Sequence, residues 1–333
     1  MTISKLAKAC VATAALVAGA GLSAQTATAQ MTECDHRGKL ADRYCDMDRD
    51  LTADLPLDED EWTNPDTLIF SYVPVEDPAI YKETFAPFME HLEEVTGKDV
   101  RFFSAQSYAA QIEALRSGRL HVAGLSTGST PFGVNIAGFN PFAIRADGNG
   151  EYGYKMQVIT PADSDIEEIA DLEGKTVAHT EQASNSGNQA PRALLESQFG
   201  IVPGEDYEVT YSGGHDRSIL GVANGDYAAA PVASSVLGRM VDRGAVDMDD
   251  IRVIHASQTF PTTAFGHAHN LHPRVQLLVQ KAFYTFDFEG TSLGEEFGQD
   301  NQFIPITYKQ HWNVIRTIQD QNEVEYTTDN ISG

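Results

Sequence analysis

Asp66-Thr67-Leu68-Ile69-Phe70-Ser71-Tyr72-Val73-Pro74 is the stretch that decides the fold. Its mostly apolar run of six residues, stopped by proline, is what a strand needs when helices cover both faces of its sheet. Phe85, Phe88, Met89, Leu92 and Val95 follow at helical spacing, and Gly97 ends that pattern. Val100 to Phe103 is the next strand. Tyr108, Ile112 and Leu115 mark a second helix, closed by Gly118, and Leu120 to Gly124 a third strand. Strands alternating with helices predict right-handed crossovers and a parallel sheet.

Beyond this unit the pattern shifts to a second α/β lobe. Met156 to Thr160 leads into it; Thr176 to Ala178, Tyr207 to Tyr211, Tyr227 to Ala230 and Ile251 to Ile254 are its strands, with helices at Leu194 to Phe199 and Ser218 to Asn224. The chain then returns through Thr259 to Phe265 and ends in helices, the first over Pro273 to Phe286. The expected division is therefore lobe 1 from 66–158 plus 257–333 and lobe 2 from 159–256. No repeat of fixed period is present.

Working toward the N-terminus, residues 1–29 read as an export signal. Lys5 and Lys8 precede the uncharged run Ala9 to Leu22, and Ala27-Thr28-Ala29 supplies the small residues of a cleavage site before Gln30. That run is shorter than the roughly 18 to 20 residues a membrane span requires, so the protein is expected to be periplasmic and not membrane-embedded. Cys10 leaves with the signal; Cys34 and Cys45 then remain in an oxidising compartment, where one disulfide is expected. Such a bridge contributes roughly 2 to 4 kcal/mol by restricting the unfolded chain.

Residues 30–65 form an acidic N-terminal extension, read as a tether. Within it Asp46, Asp48, Asp50 and Asp54 have the alternate spacing that wraps oxygens around a hard cation such as calcium. Leu51 stands where such loops usually carry glycine, and Asp58 to Glu61 continue the acidity, so a solvated acidic linker is the competing reading.

The 333 residues carry 23 Lys and Arg against 48 Asp and Glu, a formal charge of −25. Loss of residues 1–29 removes two lysines and no acid, which makes it −27. Nucleic acid and anionic lipid both require a basic footprint, so both are excluded as partners. A chain that is 42% apolar can bury a core.

Three motifs then stand out: Leu172-Glu173-Gly174-Lys175-Thr176; Ala183-Ser184-Asn185-Ser186-Gly187-Asn188-Gln189-Ala190-Pro191-Arg192; and Gly214-His215-Asp216 with Ala223-Asn224-Gly225-Asp226. Together, over roughly residues 66 to 325, they resemble the phosphonate/phosphite/phosphate-binding proteins of ABC transporters. The resemblance implies a type II periplasmic binding fold, with two α/β lobes, a two-segment hinge and the ligand between the lobes. It also implies an ABC permease as partner.

The residues carry their own argument. Ser184, Asn185, Ser186 and Gly187 precede an apolar-periodic helix, where hydroxyls and backbone N–H groups meet the positive end of the helix dipole. Glycine there allows close backbone approach to an anion. An ordinary N-cap serving its own helix is the bland alternative. By the resemblance Tyr154 is a ligand-binding tyrosine before the hinge, and His215 contacts phosphorus-bound oxygens, as imidazolium adding a charge-assisted bond. At long range a chain this acidic repels an anion, so capture must rest on short-range donors.

Departures from the family pattern narrow the ligand. Ala233 and Thr263 stand where aminoalkylphosphonate-binding members place the acids that hold an ammonium, so 2-aminoethylphosphonate is disfavoured. Ser126 and Thr127 replace an aromatic after the third strand and are expected to supply hydroxyls. The expected ligand is phosphite, phosphate or a simple alkylphosphonate, captured by a monomer without chemistry or cofactor.

Two other classes are weighed. His267, His269 and His272 could make a metal-dependent periplasmic hydrolase, but no further Cys or Glu spacing completes a zinc shell, which favours surface histidines near a helix start. Neither a G-x-S-x-G elbow nor a Walker loop is present. The same fold could also bind another small anion, such as a sulfonate, and report to a sensor.

Overall fold

A computed structural model describes residues 34–332; the expected signal peptide and residues 30–33 lie outside them. The strands are β1 (Thr67–Tyr72), β2 (Asp99–Phe102), β3 (Val122–Leu125), β4 (Phe139–Ala146), β5 (Tyr154–Pro161), β6 (Thr176–His179), β7 (Glu208–Tyr211), β8 (Ala230–Ala233), β9 (Ile251–Phe260), β10 (Ala264–Ala268) and β11 (Gln302–Pro305). Six of them form one sheet in the order β11-β4-β10-β3-β1-β2.

That sheet is mixed, which corrects the expectation of a parallel one. β1 runs parallel to β2 and β3, whereas β10 is antiparallel to β3 and β4, and β11 to β4. The reason is the connection. β10 is entered from the second lobe, so it starts beside the ends of β3 and β4 and must run against them. Ala264 accordingly pairs with both Leu125 and Ile144. The ends of β1, β3 and β4 and the start of β10 thus share one rim, where open α/β sheets bind ligands.

An aromatic layer holds the helices to this sheet. Phe88 of the helix Ala86–Thr96 meets Phe283 of the helix Pro273–Thr285 at 4.5 Å between ring centroids, and Tyr72 of β1 meets Phe85 at 4.7 Å. All four are buried, and each fully buried large apolar side chain stabilises by about 1.5 to 3 kcal/mol.

In the second lobe β5 is flanked by β8 and β9, both antiparallel to it, and β6 pairs with β7. A bridge between Val177 and Ala229 joins the two parts. The crossings between lobes fall at 147–153 and 261–263, not at the expected 158/159 and 256/257, because the β5–β9 ladder already begins with Tyr154 opposite Phe260. Gly153, at φ 127°, packs so closely on Thr259 and Phe260 that a Cβ would lie 2.3 Å from the Thr259 methyl; the first crossing requires glycine there.

Residues 34–65 are no tether. Leu40, Tyr44 and Ala53 are buried in the core, Ala41 donates to the Asn135 carbonyl at 2.8 Å, and Asn140 donates to the Ala53 carbonyl at 3.1 Å. The segment is a packed cap on the first lobe, and Cys34 and Cys45 are disulfide-bonded within it. No described helix is long and apolar enough to cross a membrane.

Candidate functional site

Between the lobes lies a cleft of about 720 Å³, lined from the first lobe by Tyr72, Tyr108, Ser126, Thr127, Arg145 and Thr263 and from the second by Tyr154, Ser184, Asn185, Ser186, His215 and Ala233. Of the nine residues expected to bind ligand, eight line it. Gly187 does not. A Cβ at Gly187 would lie 2.0 Å from Thr180 Oγ1, so its tight approach is to β6's own extension and not to an anion.

The Ser-Asn-Ser segment enters the second lobe's helix through one wide π-type turn, Asn185–Gln189, before the regular helix Ala190–Phe199. Ser184 caps this turn by accepting the Gly187 N–H at 3.1 Å. Asn188 anchors it from below, its Oδ1 standing 2.8 Å from His179 Nδ1 on β6. Capping and lining the cleft are therefore not alternatives here: Ser184 Oγ accepts from its own turn, while its hydroxyl also meets the Tyr108 phenol and lies 3.4 Å from His215 Nε2.

His215 is the first residue of the helix His215–Ala223, whereas sequence spacing starts that helix at Ser218. The ring is buried, and its Nδ1 accepts the Ala233 N–H at 3.2 Å. A ring nitrogen that accepts carries no proton, so Nε2 is the protonated one, 3.4 Å from Ser184 Oγ. Burial pushes the imidazole pKa down to about 4, with Glu76 opposing and Arg239 assisting. This corrects the expected imidazolium: at neutral pH His215 is a neutral N–H donor.

Tyr154 opens β5 and its phenol accepts from Asn185 Nδ2 at 3.1 Å. Burial raises the phenol's pKa, against hydrogen bonds with the Thr127, Asn185 and Ser186 side chains and the Ser186 backbone, so it stays protonated. Ser126 and Thr127 line the cleft, but their hydroxyl hydrogens are committed, Ser126 to Ser129 Oγ at 2.8 Å and Thr127 to the Pro261 carbonyl at 2.8 Å. They shape the first lobe's wall and do not supply the free hydroxyls expected of them. Thr263 Oγ1 lies 3.2 Å from the Tyr72 phenol.

Sequence reasoning missed Tyr108, whose phenol bonds to the Ser184 side chain, and every cation of the cleft. Arg145 is buried on β4, 3.3 Å over the Phe297 ring and 3.7 Å from Asp300, with Nε and Nη1 lacking hydrogen-bond partners among the described residues. Arg239 of the helix Ser234–Asp242 and Arg243, which caps its C-terminal end, engage Glu76 and Glu296 of the first lobe. Glu76 and Glu296 are thus paired with arginines, while Asp242 and Glu295 also line the cleft.

Glu181 of the second lobe accepts the Tyr108 N–H at 3.2 Å, tying the lobes at a helix N-terminus. Burial raises its pKa to about 7, against the lowering effects of that N–H and Arg217. A carboxyl whose folded pKa is raised loses stability as pH climbs from its ordinary 4.5 through 7. Glu181→Gln should therefore stabilise the protein by about 1 to 3 kcal/mol at pH 8 and be neutral near pH 4.5. Thermal melts at the two pH values check this; an equal effect at both refutes it.

The histidines form no metal centre. His267 is buried in β10 with Nδ1 3.0 Å from the Ala268 carbonyl, His269 stacks edge-on to Tyr44 at 4.8 Å, and His272 caps the helix Pro273–Thr285. Two of the three are therefore packing groups and not the expected surface histidines. Among the described residues the cluster that could hold a metal is Asp46, Asp48 and Asp50; Asp54 instead accepts the Met47 N–H at 2.7 Å.

Comparison with known proteins agrees with this architecture. The family model described as "ABC transporter, phosphonate, periplasmic substrate-binding protein" matches residues 70–312. The chain is 27% identical over 265 residues to the phosphate-import protein PhnD of Mycolicibacterium smegmatis, covering 75% of this chain and 81% of that one. It is 26% identical over 198 residues to the phosphonates-binding periplasmic protein of Escherichia coli, covering 58% of each. A binding-protein component of an ABC phosphonate transporter from Pseudomonas aeruginosa has the same fold, with a TM-score of 0.70 at 20% identity over 79% of this chain and 87% of the other. So does a Prochlorococcus marinus protein solved with methylphosphonate, with a TM-score of 0.69 at 16% identity over 78% and 99%. The matched span holds the cleft-lining segments of both lobes and the two crossings, with the type II periplasmic binding fold around them: the chain belongs to the phosphonate-binding family of periplasmic substrate-binding proteins of ABC transporters.

Proposed function

We propose that this protein captures a small phosphorus oxyanion, namely phosphite, phosphate or a simple alkylphosphonate, in the periplasm and delivers it as a monomer to an ABC permease. The observation that carries this reading is the convergence of neutral donors on one buried place: Ser184, Ser186, Tyr154, Tyr108 and Nε2 of His215. Tetrahedral oxyanions present several acceptors, and a dry ring of N–H and O–H donors satisfies them without a counter-charge. Ala233 and Thr263 both line the cleft, so the places that hold an ammonium in aminoalkylphosphonate binders carry no carboxylate.

Capture without turnover fits the tautomer of His215: Ser184 Oγ lies 3.4 Å from Nε2, but with Nδ1 accepting the Ala233 N–H, Nε2 carries the proton and is no base for that serine. Ligand contacts made to both lobes would draw the lobes together, and the closed form would be the one that the permease meets.

Calorimetry against phosphite, phosphate, methylphosphonate and 2-aminoethylphosphonate tests the reading, with binding expected for one or more of the first three. Tight binding of the last, or turnover of a phosphate ester, overturns it. Ser186→Ala should weaken the preferred ligand by about 1 to 3 kcal/mol, the usual loss for a buried hydrogen-bond partner. Wild-type affinity in that variant removes Ser186 from the site.

A further inference from the structure

We infer that the loop Asp46 to Asp54 in the cap is a calcium site. Asp46, Asp48 and Asp50 each offer a carboxylate oxygen, and these oxygens lie within 4.8 Å of one another. The Asp46 side chain is 0% exposed, and its Oδ1 has no hydrogen-bond partner among the described residues. A buried carboxylate oxygen without a partner is costly, and two more carboxylates facing it raise that cost; a cation between them removes both penalties.

The loop's frame is fixed independently of any ion. Asp54 N–H donates to the Cys45 carbonyl at 2.8 Å, Met47 N–H donates to Asp54 Oδ2 at 2.7 Å, and the Cys34–Cys45 disulfide holds the entry. Asp46 Oδ2 accepts the Leu51 N–H at 3.2 Å, which leaves Oδ1 as the oxygen without a partner. His36 Nδ1 lies 2.8 Å from the Asp46 carbonyl and 3.5 Å from Oδ2, and Lys309 Nζ donates to the Arg49 carbonyl at 2.8 Å. The objection from Leu51 falls away, since the backbone there takes φ 74° without glycine.

Donor chemistry selects the metal. The converging ligands are all oxygens, and both cysteines are spent in the disulfide, which excludes the sulfur and nitrogen set that zinc prefers. Several carboxylates on one short loop suit calcium's six to eight oxygens better than magnesium's rigid octahedron. The cap that the loop carries buries Leu40, Tyr44 and Ala53, so the ion would pin this cap to the first lobe, away from the cleft.

The test uses the mature chain, with thermal melts in EDTA and in calcium at about 5 mM, well above the range of extracellular calcium modules. Calcium should raise the melting temperature by several degrees, magnesium by less, and terbium should show sensitised luminescence that calcium displaces. Asp48 and Asp50 are exposed, so Asp48→Ala with Asp50→Ala should fold, melt in EDTA no lower than wild type, and lose calcium affinity at least tenfold. Identical wild-type melts in calcium and EDTA, or a calcium shift that survives the double substitution, overturns the inference.

Discussion

Arg239→Ala is expected to weaken ligand affinity about a hundredfold while leaving the melting temperature of the ligand-free protein nearly unchanged. Glu76, whose side chain is 1% exposed, follows β1 in the first lobe; Arg239 and Arg243 follow β8 in the second. Arg239 Nη2 stands 2.5 Å from Glu76 Oε1, Arg243 Nη2 bonds Glu76 Oε2, and Tyr81 donates to Glu76 Oε1 at 3.0 Å. Glu296 faces the same two arginines, 2.7 Å from Arg243 Nη1 and 3.1 Å from Arg239 Nε, the latter without hydrogen-bond geometry.

Removing one partner of a buried pair costs about 3 to 5 kcal/mol, because the other charge is left in a dry place. Arg243 and Tyr81 still serve Glu76, so about 3 kcal/mol is the fitting figure, roughly a hundredfold in affinity. The pair spans the lobes, so the cost falls on the closed form. Calorimetry with the preferred oxyanion and melts with and without it separate the cases. Unchanged affinity shows that the pair does not hold the lobes.

The same latch has a pH signature. Burial would raise the Glu76 pKa, but Arg239 and Arg243 outweigh it and hold the carboxyl below its ordinary 4.5. Its contribution is thus fully present above that ordinary value and lost only as pH falls through the lowered one. Glu181, with its pKa near 7, acts in the opposite sense in the neutral range. Closure should therefore weaken as pH climbs from about 4.5 to about 7 through Glu181, and again in strong acid through Glu76.

These features divide by how local their causes are. The first βα unit was legible because Phe85, Phe88 and Leu92 repeat within one helix, and Ser184 because a cap is read from its own turn. The direction of β10 was not, since it depends on where the chain re-enters a sheet begun more than a hundred residues earlier. The latch joins positions 76, 239, 243 and 296, and nothing in any one segment announces it. The cap was misread because its acids dominate the composition, while the three residues that dock it are too sparse to form a pattern. His215's protonation needed the Ala233 N–H, a contact that only the fold creates.

Gly128→Ala should abolish tight binding, and it tests closure without touching a charge or a ligand donor. Gly128 lies in the first lobe's loop after β3. A Cβ built there would stand 2.3 Å from the Ala183 carbonyl oxygen, 2.6 Å from Asn185 N and 3.0 Å from Ser184 C, all backbone at the second lobe's Ser-Asn-Ser turn. Neither side can give way. Trp312 Nε1 donates to the Thr127 carbonyl at 2.9 Å and Gln319 Nε2 to the Gly128 carbonyl at 2.8 Å, fixing the loop, and the opposite turn is held by its Ser184 cap. Overpacking commonly costs about 1 to 3 kcal/mol when side chains can adjust. With only backbone to push against, the lobes must stay apart, and a loss of at least about 3 kcal/mol, or a hundredfold, is expected. Separation of the lobes removes these contacts, so ligand-free stability should hold. Gly238→Ala is the comparison: Gly238 also lines the cleft, on the helix Ser234–Asp242, but nothing beyond its own helix backbone and chain neighbours lies within 4 Å of the new methyl, so it adds a methyl there without pushing on the other lobe and should be neutral or stabilise by about 0.5 to 1 kcal/mol. Calorimetry on both variants decides. Wild-type affinity in Gly128→Ala means that the ligand is held without this approach of the lobes, and the donors of the second lobe must then suffice alone.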